Sequence, residues 1–341
     1  MALTPSGTIK YSEIIAEFGT PNSGGLGEFR LSENVGTLTN LPLDTGIPQS
    51  GQIKFSDFYS KRLNQVVDLY STSVNNTSRQ NAKDRWNNGN VHIVGSTKTG
   101  KTQPPDTIED RVIINVNATI SSVKGTQTHC ALRTGNWDTN TTLEIEIGTS
   151  GKLYGSGGDG GTGGSANETA GTDGQTGSSA LGIQYPCTVN NLGVIQSGYG
   201  GGGGGGGNTR TTGGGKKSGA TTNGSSGGGG GGGAGLPAGS AGGVQTPLSA
   251  GGGSAGSAGQ AGSLSGQATG GGGGSEAGDG GNSSPVNNSA TKADNGTQPS
   301  GAASGGTGGN NGYAIITNQG SAPSVTGNSA TGRIITSTNP T

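Results

Sequence analysis

Gly95-Ser96-Thr97-Lys98-Thr99-Gly100-Lys101-Thr102 has the spacing of a phosphate-binding loop. In such a loop, backbone N–H groups at a helix N-terminus cradle the phosphates, the lysine reaches the terminal phosphates and the hydroxyl ligates magnesium. The strand-like Val91-His92-Ile93-Val94 precedes it as required, but Gln103-Pro104-Pro105 follows at once. Prolines there stop any helix, and no apolar strand ends in the aspartate that would hold magnesium. A polar hairpin loop is the better reading. His92 and His129 are the only histidines. Cys130 beside His129 suggests a nucleophile pair, yet neighbours on a strand face opposite ways. Cys130 and Cys187 lack the spacing of a zinc site and are too few for a disulfide framework; inert thiols are favoured over a bridge. Asp159, Asp173 and Asp279 lie among glycines, as acids do in calcium-binding β-rolls, but that repeat nowhere occurs intact. Glu144 and Glu146 share one face of a strand, which reads as a solvated face. We therefore expect no catalytic residue, no metal and no cofactor.

The charge balance excludes further classes. A net charge of −1 with 11% charged residues argues against nucleic acid as a partner. Met1-Ala2-Leu3-Thr4-Pro5-Ser6-Gly7 has neither the basic nor the apolar region of a secretory signal. No apolar run approaches membrane-spanning length. The expectation is a chain made in a cytoplasm, with no membrane insertion. Between Gly174 and Ser275 there is no acidic residue, and the cations are Arg210, Lys216 and Lys217. Solubilising charges at loop tips are the plainer account of these three; contact with an acidic glycan is the functional one.

The elements that would position such contacts are unusual. Of 341 residues, 77 are glycine and 13 proline, and only 26% are hydrophobic. Most glycines lie between Gly155 and Gly312, with runs at Gly200–Gly207, Gly227–Gly233, Gly251–Gly253 and Gly270–Gly274. Such runs have no side chains for a core. They are either disordered or ordered by backbone hydrogen bonds alone. Punctuation by Asn208-Thr209-Arg210-Thr211-Thr212, Leu236-Pro237 and Val244-Gln245-Thr246-Pro247-Leu248 favours rods and loops over a linker. Polyglycine in the extended left-handed helix rises ~3.1 Å per residue with outward N–H and C=O groups, which neighbouring rods can satisfy. A bundle must offset the backbone entropy of glycine, the largest of any residue.

Elsewhere the chain carries repeats. Ser6-Gly7-Thr8-Ile9-Lys10-Tyr11-Ser12-Glu13 returns as Ser50-Gly51-Gln52-Ile53-Lys54-Phe55-Ser56-Asp57, with a weaker copy at Glu28-Phe29-Arg30-Leu31-Ser32-Glu33. Each alternates like a short strand and then offers Ser plus an acid, a helix N-cap signal. Such units are too small to be stable singly; they must stack or lie on a partner. Val91–Val94, Arg111–Ile120 and Thr142–Ile147 are strand candidates. Gly151-Lys152-Leu153-Tyr154 recurs as Gly193-Val194-Ile195-Gln196, and again as Gly332-Arg333-Ile334-Ile335, which suggests stacked rungs with the last copy sealing one end. The fold class expected is mainly β with a polyglycine-II helical sandwich. Four parts are expected: small N-terminal repeat modules (1–65), a central β-rich domain (66–154), a glycine-rich rod-and-loop block (155–312) and a closing strand segment (313–341).

Ile53-Lys54-Phe55-Ser56-Asp57-Phe58-Tyr59 resembles units at the start of many phage tail proteins, including those of cyanophages. Arg111–Asn117, then Asn191-Leu192-Gly193-Val194-Ile195 before a glycine run, then Gly312-Tyr313-Ala314-Ile315-Ile316, is an order similar to that of glycine-rich phage tail-fibre adhesins. The resemblance spans the whole chain. It implies a non-enzymatic adhesin of the virion, at a tail or tail-fibre tip, that binds a host outer-membrane protein or surface glycan. Residues 1–65 would attach it to other tail-fibre or baseplate proteins through Ile9, Tyr11, Phe29, Leu31, Ile53, Phe55 and Phe58. Loops at 208–226, 236–249 and 282–300 would meet the receptor, with Asn208, Thr209, Arg210, Lys216, Lys217, Leu236, Pro237, Val244, Gln245 and Pro247 as candidate contacts. The alternative is a structural tail or baseplate component whose glycine bundle is a spacer. An ice-binding protein is a third class, disfavoured by irregular loops.

Overall fold

A computed structural model describes residues 3–68, 79–101, 111–164, 170–204, 208–212, 221–225, 232–240, 242, 306–318, 323–335 and 340. The N-terminal repeat begins with helix α1 (Tyr11–Phe18). Glu13 Oε2 accepts from the Lys10 N–H at 2.8 Å, and Asp57 Oδ2 from the Lys54 N–H at 2.7 Å. The same three-residue reach starts α1 and the 3-10 turn Phe55–Phe58. The caps are therefore Lys10 and Lys54, not Ser12 and Ser56, and the units form no strands before them. The acid satisfies the amide that helix geometry leaves free at the cap, which moves the start ahead of the serine. The third copy gives a 3-10 turn, Leu26–Phe29, and then a hairpin, β1 (Ser32–Val35) with β2 (Leu38–Pro42). Phe18, Phe29 and Phe58, from the three units, are fully buried. They meet edge to face with centroids 5.5, 6.0 and 6.1 Å apart, the geometry that the ring quadrupole favours.

Next come β3 (Asn64–Asp68), β4 (Gln80–Asn81), α2 (Ala82–Asn87), β5 (His92–Ile93) and the one-turn α3 (Ser96–Thr99). The chain then winds as a coil. One turn is β6 (Arg111–Val116), β7 (Thr119–Ser121) and β8 (Cys130–Arg133). The next is β9 (Thr142–Ile147), β10 (Lys152–Tyr154) and β11 (Ser179–Ile183). A third runs β12 (Thr188–Asn191), β13 (Val194–Gln196), an excursion containing the hairpin β14 (Asn208–Thr212) and β15 (Thr221–Ser225), then β16 (Tyr313–Thr317). It closes on β17 (Ser324–Gly327) and β18 (Arg333–Ile335). Equivalent strands stack in parallel into three ladders: β3-β6-β9-β12-β17, with β5 antiparallel on its edge; β7-β10-β13; and β4-β8-β11-β16-β18.

Register puts like on like: Ile114 beside Ile145, Leu153 beside Ile195, Leu181 beside Leu132 and Ile315. These and their neighbours from all three ladders form one buried aliphatic cluster inside the coil, each side chain contributing about 1.5–3 kcal/mol by burial. On the other face of the first ladder, Val66, Ile93 and Ile113 join a second cluster with Ile14, Phe18, Phe29 and Phe58. The small N-terminal units thus gain stability by lying on the sheet.

The topology explains two departures from the sequence reading. Arg111–Ile120 is two strands, because at Asn117-Ala118 the chain turns from the first ladder into the second. The repeat offset by 42 residues is one turn of the coil, with Lys152, Leu153 and Tyr154 paired to Val194, Ile195 and Gln196. Its third copy does not complete that ladder. Arg333–Ile335 pairs with β16 on the third ladder instead, and only Thr331 bridges to Gln196. Among the described residues, no helix is long and apolar enough to cross a membrane.

Candidate functional site

The chemical motifs resolve into structural roles. In the phosphate-loop-like segment, Gly95 and Gly100 adopt left-handed conformations on either side of α3. It is a single helical turn, where a plain hairpin loop was expected. Lys101 Nζ donates to the Ala16 carbonyl at 2.6 Å, near the C-terminus of α1, where a cation complements the helix dipole. Thr20 N–H donates to the Thr99 carbonyl at 3.0 Å. The segment clasps the first repeat unit to the coil. His92 lies on the edge strand, its Nε2 2.7 Å from Glu33 Oε1, which also accepts from the Gly95 N–H at 2.7 Å. Cys130 and Cys187 are free thiols, both pushed up to about 12 by burial. The face bearing Glu144 and Glu146 is half-buried rather than solvated, since β6 and β12 flank it. Arg111 pairs with Glu144 at 2.7 Å, and Asn190 Nδ2 donates to Glu146 at 2.8 Å. Burial raises the Glu146 pKa against that hydrogen bond, and the Glu144 charge adds to the rise. Among the described residues no group of His, Cys, Asp or Glu could hold a metal ion; Asp279 lies outside them.

The unusual geometry is at one corner of the coil. Passage from the second ladder to the third takes the chain through 122–129, then 155–178, then 197–312. The glycine-bearing sequence leaves and returns there. Segments 155–164, 170–178, 198–204 and 306–312 lie side by side and bond in steps of three. Gly158 and Gly161 donate to Tyr199 and Gly202, and Gly201 and Gly204 donate to Gln175 and Thr172. Ser178, Gln175 and Thr172 donate to Ser156, Asp159 and Thr162; Gly312, Gly309 and Gly306 donate to Gly198, Gly201 and Gly204. All ten distances lie between 2.7 and 2.9 Å. Spacing this close excludes side chains: a Cβ on Gly201 would overlap the Asp159 carbonyl, and one on Gly309 that of Gln175.

A fifth segment, 232–242, folds back on itself. Gly233 donates to Gly158, Tyr199 to Ala234, Gly157 to Pro237 and Gly160 to Ser240, at 2.8–2.9 Å. Its turn carries a cis Leu236-Pro237 bond. Leu236 N–H donates to the Gly155 carbonyl at 2.9 Å, and Gly155 N–H donates to Gln196 of β13. The turn therefore sits at the coil end of the segments. Two carboxylates bind at their flanks. Asp159 Oδ1 accepts from Lys124 Nζ at 2.5 Å and from the Ser240 N–H at 2.6 Å. Asp173 Oδ1 accepts from the Thr307 N–H at 2.6 Å. Burial works to raise the Asp159 pKa, but Lys124 and Ser240 outweigh it and hold the carboxyl below its usual range; Thr307 lowers that of Asp173. In the sequence both aspartates stand out among glycines without an intact calcium-binding repeat, and nothing there points to Lys124, which lies outside the glycine block.

A model of the phage tail fibre adhesin Gp38 family matches residues 83–340. The chain belongs to that family. The match begins within α2 and takes in the coil and every glycine segment, leaving the N-terminal repeats outside it. Family membership makes the chain a tail-fibre adhesin with a place in the phage tail fibre, and points to a structural rather than an enzymatic protein. A solved structure, the gp37-gp38 adhesin tip complex of the bacteriophage S16 long tail fibre, is similar at 19% identity over 97% of this chain and 100% of that chain, with a TM-score of 0.39. No curated protein matches.

The candidate receptor contacts fall in different places. Asn208, Thr209 and Arg210 are in β14, with Arg210 opposite Asn223 of β15. Leu236, 40% exposed, and Pro237 are at the coil end of the glycine segments. Lys216, Lys217, Val244, Gln245, Pro247 and the loop 282–300 lie outside the described residues. Of the candidate attachment residues, Ile9, Phe29 and Phe58 are buried in the N-terminal cluster. Tyr11, Leu31 and Ile53 are half-buried against it, and Phe55 is 41% exposed.

Proposed function

We propose that the chain is a non-enzymatic receptor-binding adhesin at the tip of a phage tail fibre, and that its glycine segments form a polyglycine-II sandwich. The observation that carries this reading is the three-residue step of the hydrogen bonds joining segments 155–164, 170–178, 198–204 and 306–312, the repeat of that helix. Rods without side chains give a stiff scaffold and leave recognition to the residues between the runs. Among these, the paired strands β14 and β15 bring Asn, Thr and Arg residues together, residue types that suit a surface glycan or an outer-membrane protein loop. Leu236 and Pro237 have weaker support as contacts, since their turn packs at the coil end.

Purified protein is expected to block adsorption of the phage to its host in a competition assay. Replacing Arg210, Lys216 and Lys217 by Gln should weaken that block roughly tenfold; an unchanged block would remove these cations from the site. No block by the unaltered protein would favour the spacer reading.

Residues 1–65 are proposed to attach the adhesin to other tail-fibre or baseplate proteins. The solved relative is itself a complex of two tail-fibre proteins. Removing 1–65 would uncover Val66, Ile93 and Ile113, so a surface substitution is the better probe. Phe55→Ser is expected to reduce incorporation into virions, measured by mass spectrometry of purified particles, with no change in melting temperature. Normal incorporation would remove Phe55 from the attachment surface.

A further inference from the structure

Glycine segments that bond in steps of three have a register problem. Sliding one segment by three residues, about 9 Å at the rise of this helix, re-forms the same pattern of backbone hydrogen bonds except at the segment ends. Glycine-rich pairings are weakly specified for this reason. Four of the five segments escape the degeneracy through the coil. Segment 155–164 continues β10, 170–178 leads into β11, 198–204 follows β13 and 306–312 leads into β16. Each is held at one end by a strand whose register is set by buried aliphatic side chains.

Segment 232–242 continues no strand of the coil. A slip of one step outward would place Gly233 on the Gly161 carbonyl, Pro237 and Ser240 on the Gly160 and Gly163 amides, and Ala234 on the Gly202 amide. All of these groups exist. The slip would exchange the Gly155 carbonyl and the Gly157 and Tyr199 amides for equivalent groups three residues further out, and the side-chain contact it would lose is that of Ser240 N–H with Asp159 Oδ1 at 2.6 Å; residue 162, a threonine, would stand in its place. The Asp159 carboxylate is in turn tied to the coil corner by Lys124 Nζ at 2.5 Å. A hydrogen bond to a charged acceptor is stronger than one to a carbonyl or hydroxyl, so the native register is preferred.

We infer that Asp159, oriented by Lys124, is a positioning residue that fixes the register of segment 232–242, and with it the point from which the chain joins the hairpin β14–β15, where proposed recognition residues lie. The inference rests on the adhesin reading for its consequence, though not for its mechanism. Asp173 supplies the contrast. It makes a similar bond to Thr307, but in a segment the coil already holds.

The test is an oxidative cross-link that reports register. In full-length protein carrying T162C and S240C, the slipped register brings the two thiols together and the native one does not. Cys130 and Cys187 are protonated thiols, with pKa values of about 12, and give little background. Asp159→Ala is expected to raise the cross-linked fraction roughly tenfold or more, the factor implied by losing a hydrogen bond to a charged group. Asp159→Asn keeps an acceptor oxygen and should return it toward the parent level, while Asp173→Ala should leave it there. A cross-link no greater with Asp159→Ala than in the parent overturns the inference, whatever adsorption does. A raised cross-link with undiminished adsorption would leave the register role standing and overturn the assignment of recognition to the hairpin β14–β15.

Discussion

Gly201→Ala is expected to disrupt the glycine segments while leaving the coil folded. The Gly201 amide donates to Gln175, its carbonyl accepts from Gly309, and a Cβ placed on it would overlap the Asp159 carbonyl. Three neighbouring segments would have to separate to admit one methyl group. Because the obstruction is backbone already committed to hydrogen bonds, no rotamer change relieves it. Overpacking is typically destabilising by about 1–3 kcal/mol and occasionally more, and the loss should fall on the segments rather than on the aliphatic core. Limited proteolysis should then cut between 155 and 312 with residues 111–154 still protected, and adsorption should be lost. Gly25→Ala is the matched control, since a Cβ there meets nothing within 4 Å. Equal protease resistance of Gly201→Ala and the parent would mean that the segments pack less closely than the hydrogen bonds imply.

Phe58→Ala carries the second large effect. Phe58 is fully buried and touches both Phe18 and Phe29 edge to face. Truncating a buried Phe is typically destabilising by 3–5 kcal/mol. The three repeat units share that one aromatic centre, so loss of Phe58 should loosen all of them together. They also cover Val66, Ile93 and Ile113 of the first ladder, so the exposed sheet face should bind a hydrophobic dye and the protein should fail to enter virions. Phe58→Leu keeps most of the volume and should be the milder change. A melting temperature within about 2 °C of the parent for Phe58→Ala would show that the units are held by the clasp at Lys101 and Thr99 and not by their aromatic centre.

The two substitutions probe parts of the molecule that differ in how far the sequence reveals them. The repeat at Ser6 and Ser50 was visible, and Phe18 and Phe58, which follow its two copies, sit in one cluster with Phe29. Its local form was misread, because the alternation of Thr8, Ile9 and Lys10 resembles a strand until the reach of Glu13 to the Lys10 amide is known. The repeat at Gly151 and Gly193 was legible as stacking rungs, since one ladder of the coil uses the same short pattern on successive turns. Its third copy was not, because Gly332-Arg333-Ile334-Ile335 has the same local pattern yet pairs on another ladder. Period and composition identify a strand; they do not say which face of a coil it joins. Asp159 was conspicuous among glycines, and calcium was the chemistry to consider for it. Its partner Lys124 is 35 residues away and the Ser240 amide 81, separations at which no sequence pattern links them.

By itself the sequence determined that the glycine runs have no side chains for chemistry or for a core, and that any order there must come from the backbone. These follow from residue type alone, because a missing Cβ permits close approach and a missing side chain forbids a core. Tertiary structure decided the rest. It took the glycine segments out of one corner of a coil, set four of them in register through the strands they continue, and left the fifth to a carboxylate. It also put the Leu236-Pro237 turn at the coil end and Arg210 opposite Asn223 in a hairpin. Identical glycines carry no information about register or direction; only attachment to side chains that pack in one way supplies it.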